Sequence, residues 1–473
     1  MTQPSLLWFR QDLRLADNRA LVQAAERTGP LLCLYVLDET IGGAQRWWLH
    51  HSLAALDASL RQRGNRLVLR RGSAAAVVEE LAEAAGADSV FWNHCYEPAA
   101  IERDKALKER LKAIGLKVVS ENASLLVEPW QVKTGAGGPY KVYAPFRAAL
   151  EAAFDQRKPL PAPKTLPRPP EGMEGDRLED WGLLPEAPNW AAGFDEHWAP
   201  GEAAAQKRLA YFVDELLGDY PQGRDRPDVD GSSRLSPCLH WGELSPRQIW
   251  HAVRHHADRK GGDAAADKFL SELGWREFSY HLLYHFPTLP AANWRTRFDA
   301  FPWRHDAKGL TAWQRGLTGY PIVDAGMRQL WQSGWMHNRV RMVVASFLVK
   351  DLLIDWREGA AWFLDTLVDA DLANNSAQWQ WVAGSGSDAT PYFRIFNPVL
   401  QGERFDPAGD YVRRWVPELA PLPAEWIHQP WKAPAGVLAK AGVALGGSYP
   451  KPIVDHKAAR ERALAALASI KEA

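Results

Sequence analysis

Acids, amides and indoles follow one another at helical spacing in the stretch from residue 369 to residue 398. If its first part is helical, Asp371, Asn375 and Trp379 fall at i, i+4 and i+8, on one face. That face offers a carboxylate, an amide and a large aromatic ring, and buried polar groups need partners. A flat, nitrogen-rich ligand such as a flavin would supply them. A helix start capped by Asp and Asn, followed by core tryptophans, is the alternative interpretation.

A second chemical cluster lies in the segment SELGWREF, inside a helical pattern over residues 265–285. Glu272, Trp275, Arg276 and Ser279 fall at i, i+3, i+4 and i+7 and therefore share a face. An acid, an indole and a guanidinium on one face can line a pocket that takes both a base and a phosphate. An amphipathic helix with an internal Glu–Arg pair is the competing interpretation.

The segment MHNRVRMVVASFLVKDLLIDWR predicts another helix, over residues 336–356. Asn338, Arg341 and Met342 share one face of it. Arg339 and Arg341 lie beside the apolar run VVASFL, so their charges need an anionic partner, either a carboxylate or a phosphate. A polar first turn followed by core residues is the alternative.

The loop GRDRPDVDGSSRLSPCL, residues 223–239, brings hydroxyls, backbone N–H groups and a guanidinium close together. The side chains concerned are Ser232, Ser233, Arg234 and Ser236. They suit a diphosphate, especially if Ser236-Pro237 opens a helix. A capped turn has the same composition, so both interpretations stay open.

Length and composition limit the class of protein. The 473 residues suffice for two or three domains. With a net charge of −1, a nucleic-acid partner would need a local basic patch. No segment is apolar enough to span a bilayer, and the N-terminus does not read as a secretory signal. Three scattered cysteines indicate a reducing compartment and cannot supply the four thiolates of an iron–sulfur cluster.

Metal and hydrolase chemistry find no support in the sequence. The pairs His251/His255 and His281/His285 have i, i+4 spacing, but neither has the Glu of HExxH or an evident third ligand, so no metal site is predicted. GxSxG, GxGxxG and GxxxxGK[ST] motifs are absent. The 23 Trp are more numerous than the 16 Phe or the 12 Tyr. Many of these indoles must pack the core, but the excess allows others to serve in stacking or electron transfer.

Three regions of different character follow one another along the chain. Residues 1–128 alternate short apolar runs with Ala/Leu/Glu/Arg-rich stretches, which predicts βαβ units in a doubly wound, mostly parallel sheet. Residues 129–200 are crowded with prolines and predict an extended connector. Residues 201–473 carry helical patterns and almost no strand patterns. The predicted fold class is α/β plus all-α, with a Rossmann-like domain joined by the connector to a helical domain.

Taken together, these segments resemble the DNA photolyase/cryptochrome family. The resemblance covers nearly the whole chain and rests on WFRQDLRLADN (8–18), GRDRPDVDGSSRLS (223–236), SELGWREF (271–278), TGYPIVDAGMRQL (318–330), GWMHNRVRMVVASFLVKDLLIDWR (334–357) and DADLANNSAQWQW…PYFRIFNP (369–398). Two further segments, GGAQRWWLHHSL (42–53) and YPKPIVDHKAARERAL (449–464), are similar to the bacterial class III cyclobutane pyrimidine dimer photolyases. The family fold, an α/β domain, a long connector and a helical FAD domain, agrees with the three regions.

The resemblance implies FAD in the helical half. By motif, the cofactor-binding residues are Tyr220, Ser232, Ser233, Arg234, Leu235, Ser236, Glu272, Asn338, Arg341, Asp369, Asp371 and Asn375. Tyr220 and the run 232–236 would hold the phosphates. Asn375 would lie at flavin N5, where an amide favours the reduced flavin. Trp303, Trp356 and Trp379 match the family's chain of indoles that passes an electron from the surface to the flavin.

The resemblance also implies a substrate side. The catalytic residues would be Glu272, Asn338, Asn375, Trp275, Trp381 and Met342. Two of them, Glu272 and Asn338, would hydrogen-bond the bases of a pyrimidine dimer, Trp275 and Trp381 would clamp it, and Met342 would lie beneath it. The DNA-binding residues would be Arg224, Trp275, Arg276, Arg339, Trp381 and Arg394.

The implied reaction is light-driven. Excited FADH⁻ donates an electron to the dimer, the cyclobutane ring splits, and the electron returns to the flavin, with no metal and no covalent nucleophile. The protein contributes positioning and electrostatics. A cryptochrome-type photoreceptor, a (6-4) photolyase and a flavin-binding protein without DNA affinity are the alternatives, although the residues of the clamp are of the repair type.

An antenna chromophore is expected, with methenyltetrahydrofolate favoured. The stretch CYEPAAIERD has Ala99 and Ala100 where some photolyases carry a folate-binding Asn-Glu pair, so a flavin or deazaflavin antenna, or none, stays open. Trp47 and Trp48 are core residues or line that site. The expected partner is DNA that carries pyrimidine dimers, and the protein is expected to be a monomer in the bacterial cytoplasm, associated with the nucleoid through DNA and not with a membrane.

Overall fold

The structure is a computed structural model and describes residues 3–37, 41–388 and 393–470. The chain divides into two compact units. The first unit comprises Met1–Gly218, Ser233–Pro287 and Val368–Ala373, and the second comprises Asp219–Ser232, Thr288–Leu367 and Asn374–Ala473. The residues of the predicted site are therefore distributed over both units. The domain boundaries predicted at residues 128 and 200 stay a prediction.

A parallel sheet lies in the first unit. Its strands are β1 (Ser5–Phe9), β2 (Leu31–Leu37), β3 (Leu67–Arg71), β4 (Ser89–Asn93) and β5 (Lys117–Glu121). The described strands are ordered β3-β2-β1-β4-β5, so the order reverses between β1 and β4. β1 pairs with both neighbours in parallel register, with Leu6 opposite Leu32 on one side and Val90 on the other. This is the doubly wound sheet that the sequence predicts.

Helices cover both faces of this sheet, which explains why its central strands are continuous apolar runs rather than alternating ones. All residues of β1 and β4 are buried. The helices that complete the first unit are α1 (Arg19–Ala25), α2 (Gly43–Arg61), α3 (Ala74–Ala84), α4 (Pro98–Ala113), α5 (Tyr143–Ala153), α6 (Glu202–Tyr211), α8 (Ser236–His240), α9 (Pro246–Lys260) and α10 (Asp263–His285). Of these, α10 is the predicted helix 265–285, extended by two residues at its start.

The regular elements in the described part of the second unit are helices, apart from one isolated β-bridge between Leu445 and Tyr449. Its helices are α7 (Tyr220–Gly223), α11 (Ala307–Gln314), α12 (Pro321–Ser333), α13 (Asn338–Ser346), α14 (Trp356–Thr366), α16 (Pro398–Phe405), α17 (Asp410–Trp415), α18 (Ala424–Ile427), α19 (Ala435–Lys440) and α20 (His456–Ser469). One further helix, α15 (Leu372–Ala383), begins in the first unit and continues into the second. The predicted fold class, α/β plus all-α, is confirmed.

The helix predicted over residues 336–356 is interrupted, and that part of the prediction is wrong. Helix α13 ends at Ser346 and continues as a π-helical turn, Phe347–Asp351. Leu353 then adopts a positive φ of 56°, which no helix interior accepts. Asp355 caps the next helix, its carboxylate accepting a hydrogen bond from the Arg357 backbone N–H at 2.9 Å. The break makes Trp356 the first residue of α14.

Candidate functional site

The serine-rich run of the predicted phosphate site lies in the first unit from Ser233 onward. The backbone of Arg234 has a positive φ of 53°, which is uncommon outside glycine and is found repeatedly at functional sites. Arg208 fixes the run, because its Nε donates to the Ser233 carbonyl at 2.7 Å. Helix α8 opens at Ser236 with Pro237 in its first turn, which meets the condition under which the run suits a diphosphate.

The acids before α15 are held by groups of the same unit. Ser236 Oγ donates to Asp369 Oδ2 at 2.6 Å, and Tyr280 Oη donates to Asp371 Oδ2 at 2.5 Å. Burial and the Asp371 carboxylate both raise the pKa of Tyr280 well above its ordinary value. Tyr280 therefore remains a protonated donor that fixes the orientation of Asp371. The sequence analysis missed Tyr280, although it lies one turn beyond Arg276 on α10.

His240 is a second residue that the sequence analysis missed. It is 5% exposed, and neither of its ring nitrogens has a hydrogen-bond partner among the described residues. Burial lowers the pKa of His240, against the opposing effect of the Asp371 and Asp369 carboxylates, so the ring is neutral near pH 7. A buried imidazole with two unsatisfied nitrogens beside two carboxylates fits a site that takes a polar ligand.

Helix α10 carries the predicted indole of the clamp. The Trp275 ring stacks on the Tyr143 ring, with centroids 3.7 Å apart and planes inclined by 12°. Tyr143 Oη donates to the Ser271 carbonyl at 2.5 Å, so the tyrosine is itself fixed to α10. Trp275 and Glu272 are both half-buried. This stack holds the indole plane in one orientation, which is what a stacking platform requires.

Arg276 has internal partners. Its Nη1 donates to the Ser124 carbonyl at 2.8 Å and lies 3.5 Å from Glu277 Oε1. Its guanidinium also covers the Tyr280 ring at 4.8 Å. These contacts hold the Arg276 guanidinium against the Tyr280 ring. The predicted contact of Arg276 with DNA stays a prediction.

The buried carboxyl of Glu277 makes the stability of the protein depend on pH. The carboxyl is 3% exposed, and burial raises its pKa from 4.5 to about 7 despite the Arg276 charge and the Leu126 and Val127 N–H groups. Between these two values the folded protein binds more protons than the unfolded chain, so its free energy of unfolding falls as the pH rises from 4.5 to 7.

Glu277→Gln should remove this fall, which amounts to at most about 3 to 4 kcal/mol at 1.4 kcal/mol per pKa unit. Chemical unfolding at pH 5 and pH 8 measures it. We expect the mutant to lose less stability than the wild type between the two pH values, and an identical loss in both would contradict the assignment. Glu425→Gln, at an exposed position, is the control.

In the second unit, α15 presents the predicted amide and indole. Asn375 Nδ2 donates to the Ala360 carbonyl at 3.0 Å, which directs Oδ1 the other way. Trp379 is 3% exposed and packs edge-on against Phe363, with centroids 5.0 Å apart. Gly359 is required here, because a Cβ at that position would lie 2.1 Å from the Trp379 ring. The close packing fixes the position of the indole.

The other two indoles of the predicted chain also lie in the second unit. Trp356 is fully buried, and its Nε1 donates to Asn293 Oδ1 at 2.9 Å. Trp303 is half-buried, and its ring lies 4.4 Å from that of Phe301. Two of these indoles are buried and the third is half-buried, and their role in electron transfer stays a prediction.

Helix α13 carries four of the predicted site residues, Asn338, Arg339, Arg341 and Met342. Asn338 is exposed, and Arg341 and Met342 are half-buried. Arg341 Nε donates to the Met336 carbonyl at 2.8 Å. Arg339 Nη1 lies 3.9 Å from Met342 Sδ, so these two side chains are neighbours on consecutive turns.

The remaining assigned residues of the second unit lie at or near the surface, except Tyr220. Trp381 is half-buried, and Arg394 is exposed. The Arg394 carbonyl accepts a hydrogen bond from the buried Lys350 Nζ at 3.2 Å. Tyr220 is 6% exposed, and the Arg224 guanidinium lies over its ring at 5.7 Å. Pro391 and Tyr392 of the motif PYFRIFNP lie outside the described residues.

Neither a metal-binding cluster nor a membrane-spanning helix is found in the described ranges. No cluster of three or more His, Cys, Asp or Glu side chains in those ranges is arranged to hold a metal ion. In the same ranges, no helix combines the length and apolar character needed to cross a membrane. Trp47 and Trp48 are buried, the first against Phe194 and the second bonded through Nε1 to Glu243.

The sequence and the fold match known proteins over the whole chain. The family described as DNA photolyase matches residues 5–164, and the FAD binding domain of DNA photolyase matches residues 269–469. The chain is 54% identical to the deoxyribodipyrimidine photo-lyase of Agrobacterium fabrum, covering 100% of this chain and 99% of that one. It is 39% identical to cryptochrome-1 of Arabidopsis thaliana, covering 98% of this chain and 70% of that one.

A solved structure agrees with the sequence comparison. The crystal structure of a bacterial class III photolyase from Agrobacterium tumefaciens superposes with a TM-score of 0.98 at 54% identity, covering 100% of this chain and 98% of that one. The chain therefore belongs to the DNA photolyase/cryptochrome family, and its helical part is an FAD-binding domain. Within the family it is similar to the class III photolyases, and its enzyme class is that of the photo-lyases. The resemblance predicted from the motifs is confirmed.

The residues present fit FAD. The orphaned ring nitrogens of His240, the hydroxyls of the run 233–236 and the oriented Asn375 amide are polar groups of the kind that a dinucleotide with a flat heterocycle engages.

Proposed function

We propose that this enzyme repairs cyclobutane pyrimidine dimers in DNA by transferring an electron from excited, reduced FAD to a lesion flipped out of the duplex. The observation that carries the proposal is the repair-type residue set on α10, α13 and α15, namely Glu272, Trp275, Asn338, Met342 and Trp381. The first two belong to one unit and the other three to the second. FAD supplies the photochemical electron, and the residues of the chain bind and orient.

The first unit would hold the phosphate end of the cofactor and one side of the lesion. The hydroxyls of Ser233 and Ser236 and the backbone of Arg234 and Leu235 are proposed to contact the diphosphate. Asp369 and Asp371 would contact the isoalloxazine and its surroundings, and Tyr280 would orient the second of these carboxylates. Glu272 would hydrogen-bond the bases of the dimer, and Trp275 would stack on them.

The second unit would contribute the complementary set. Tyr220 and Ser232 are proposed at the phosphates, Arg341 near the isoalloxazine, and Asn375 at N5. Asn338 would hydrogen-bond the lesion, Met342 would lie beneath it, and Trp381 would complete the clamp. The remaining assigned residues are the electron-transfer chain Trp303, Trp356 and Trp379 and the backbone-binding Arg224, Arg339 and Arg394.

Truncating the stacking platform tests the substrate side. Trp275→Ala should weaken binding of a thymine-dimer oligonucleotide by roughly 1–3 kcal/mol, the usual contribution of base–aromatic stacking. Fluorescence anisotropy in the dark measures it. Trp130→Ala, which removes a partly exposed indole of the same unit, is the control and should leave affinity unchanged. Equal affinity of Trp275→Ala and wild type would remove this indole from the clamp.

A cryptochrome-type photoreceptor is the second candidate, favoured by the 39% identity to cryptochrome-1. Both candidates predict flavin photoreduction, so only repair separates them. We further propose a second, light-harvesting chromophore, with methenyltetrahydrofolate favoured, a monomer in solution, and action in the bacterial cytoplasm on nucleoid DNA. Absorbance and mass spectrometry of chromophores extracted from purified protein would identify the antenna, and an extract that contains FAD alone would contradict it.

A further inference from the structure

One carboxylate bridges two of the arginines assigned to DNA binding. Asp225 Oδ2 lies 2.9 Å from Arg339 Nη2, and Asp225 Oδ1 lies 3.7 Å from Arg224 Nε. All three residues belong to the second unit. Each oxygen of the carboxylate therefore faces a different guanidinium, as two oxygens of a phosphodiester would.

The two arginines are held by other contacts as well. The Arg339 guanidinium packs on the face of Phe405 at 4.5 Å, and the Arg224 guanidinium packs on Tyr220 at 5.7 Å. Their side chains are 18% and 13% exposed, whereas the side chain of Asp225 is 36% exposed. The carboxylate is thus the member of this Arg224–Asp225–Arg339 bridge that is most open to solvent.

The backbone that carries Asp225 has little room to move. Helix α7 ends at Gly223, and Gly223 and Gly231 lie against each other, since a Cβ at Gly231 would be 2.5 Å from the Gly223 carbonyl oxygen. The loop between these glycines is closed at its base. Asp225 is therefore presented to the two arginines by a fixed turn.

We propose that Asp225 is an internal competitor for the DNA backbone, which limits the grip of Arg224 and Arg339 on phosphate and speeds the release of repaired DNA. This inference rests on the proposed function. Without DNA, the carboxylate pairs with both guanidiniums and offsets one of their two positive charges. When DNA binds, a phosphate takes its position, and the return of the carboxylate to the arginines favours dissociation.

Asp225→Asn tests this with the FAD-loaded protein. Binding of undamaged and dimer-containing duplexes should tighten by roughly 2- to 30-fold, the range expected when two partly exposed ion pairs no longer compete. The slope of log K against log salt should steepen by about one unit, because one more cation is left for phosphate. Repair in a single turnover should persist, while multiple-turnover repair should slow with the dissociation rate.

The controls separate this role from a structural one. Glu418→Gln removes a carboxylate of similar exposure that pairs with Arg328 at 2.8 Å in the same unit, and it should change neither affinity nor salt slope. Asp225→Glu keeps the charge and should restore the wild-type salt slope. FAD content reports folding of each variant.

Weaker or unchanged DNA binding by Asp225→Asn would overturn the inference while leaving the repair function intact. Failure of the wild-type protein to bind DNA would instead overturn the proposed function, and this inference with it.

Discussion

Replacing Trp379 by Phe is expected to block photoreduction of oxidised FAD and to spare repair by protein whose flavin is already reduced. Trp379 is the buried indole on α15, fixed by Gly359 and Phe363, and it would be the first donor to the flavin. A phenyl ring is far harder to oxidise than an indole. Since a barrier raised by about 3 kcal/mol already slows a step about 100-fold, we expect a loss of at least that size.

Two assays under blue light measure the outcome. Bleaching of the oxidised flavin band reports photoreduction, and repair by chemically reduced protein reports catalysis. Trp313→Phe is the matched control. Trp313 is also buried, and its ring centroid lies 6.2 Å from that of Trp379, but it is not part of the proposed electron-transfer chain. Wild-type photoreduction in Trp379→Phe, or loss of repair by the reduced mutant, would contradict the assigned role.

Asn375→Asp is expected to destabilise the reduced flavin. The Asn375 Nδ2 group donates to the Ala360 carbonyl, and an ionised carboxylate has no proton to donate there. It would also add negative charge where the reduced flavin is anionic. A repulsion of about 1.4 kcal/mol changes an equilibrium tenfold, so we expect reoxidation in air to accelerate, and aerobic repair to fall, by at least about tenfold.

The neighbouring amide gives the control for this substitution. Asn374→Asp makes the same chemical change one residue earlier on α15, about 100° around the helix, and should leave the lifetime of the reduced flavin close to that of the wild type. The flavin spectrum after photoreduction, followed in air, measures both variants. A reduced flavin equally long-lived in Asn375→Asp would show that the amide is not at N5.

Regular elements of this protein were predictable because their signals are local. The strands of the parallel sheet fall in the stretch 1–128, where the sequence alternates short apolar runs with helical patterns, and the helix that carries Glu272 and Trp275 shows the spacing of one face. The prediction of one helix over 336–356 was wrong because Leu353 has a positive φ. Nothing in the apolar sequence around Leu353 indicates that backbone conformation. Asp355 is a typical N-cap residue and indicates that a new helix begins at Trp356. The apolar run before it made this signal easy to miss.

The hydrogen-bond partners and the roles of single residues were harder to predict from the sequence. The types of Asp371 and Asn375 predicted a polar face, but their partners lie on other helices: Tyr280 on α10 and Ala360 on α14. His240 gave no motif signal, since its importance follows from burial and two unsatisfied nitrogens. The bridge through Asp225 was likewise invisible, because it joins residues more than 100 positions apart.

Repair of a thymine-dimer oligonucleotide is the measurement that tests the central claim most directly. Purified protein with photoreduced FAD is mixed with the oligonucleotide and either illuminated with blue light or kept in darkness, and recovery of thymine absorbance is followed. The proposed function predicts recovery in the light and none in darkness. Intact flavin photoreduction without any recovery would contradict it and would assign the protein to the photoreceptors of the family or to another lesion.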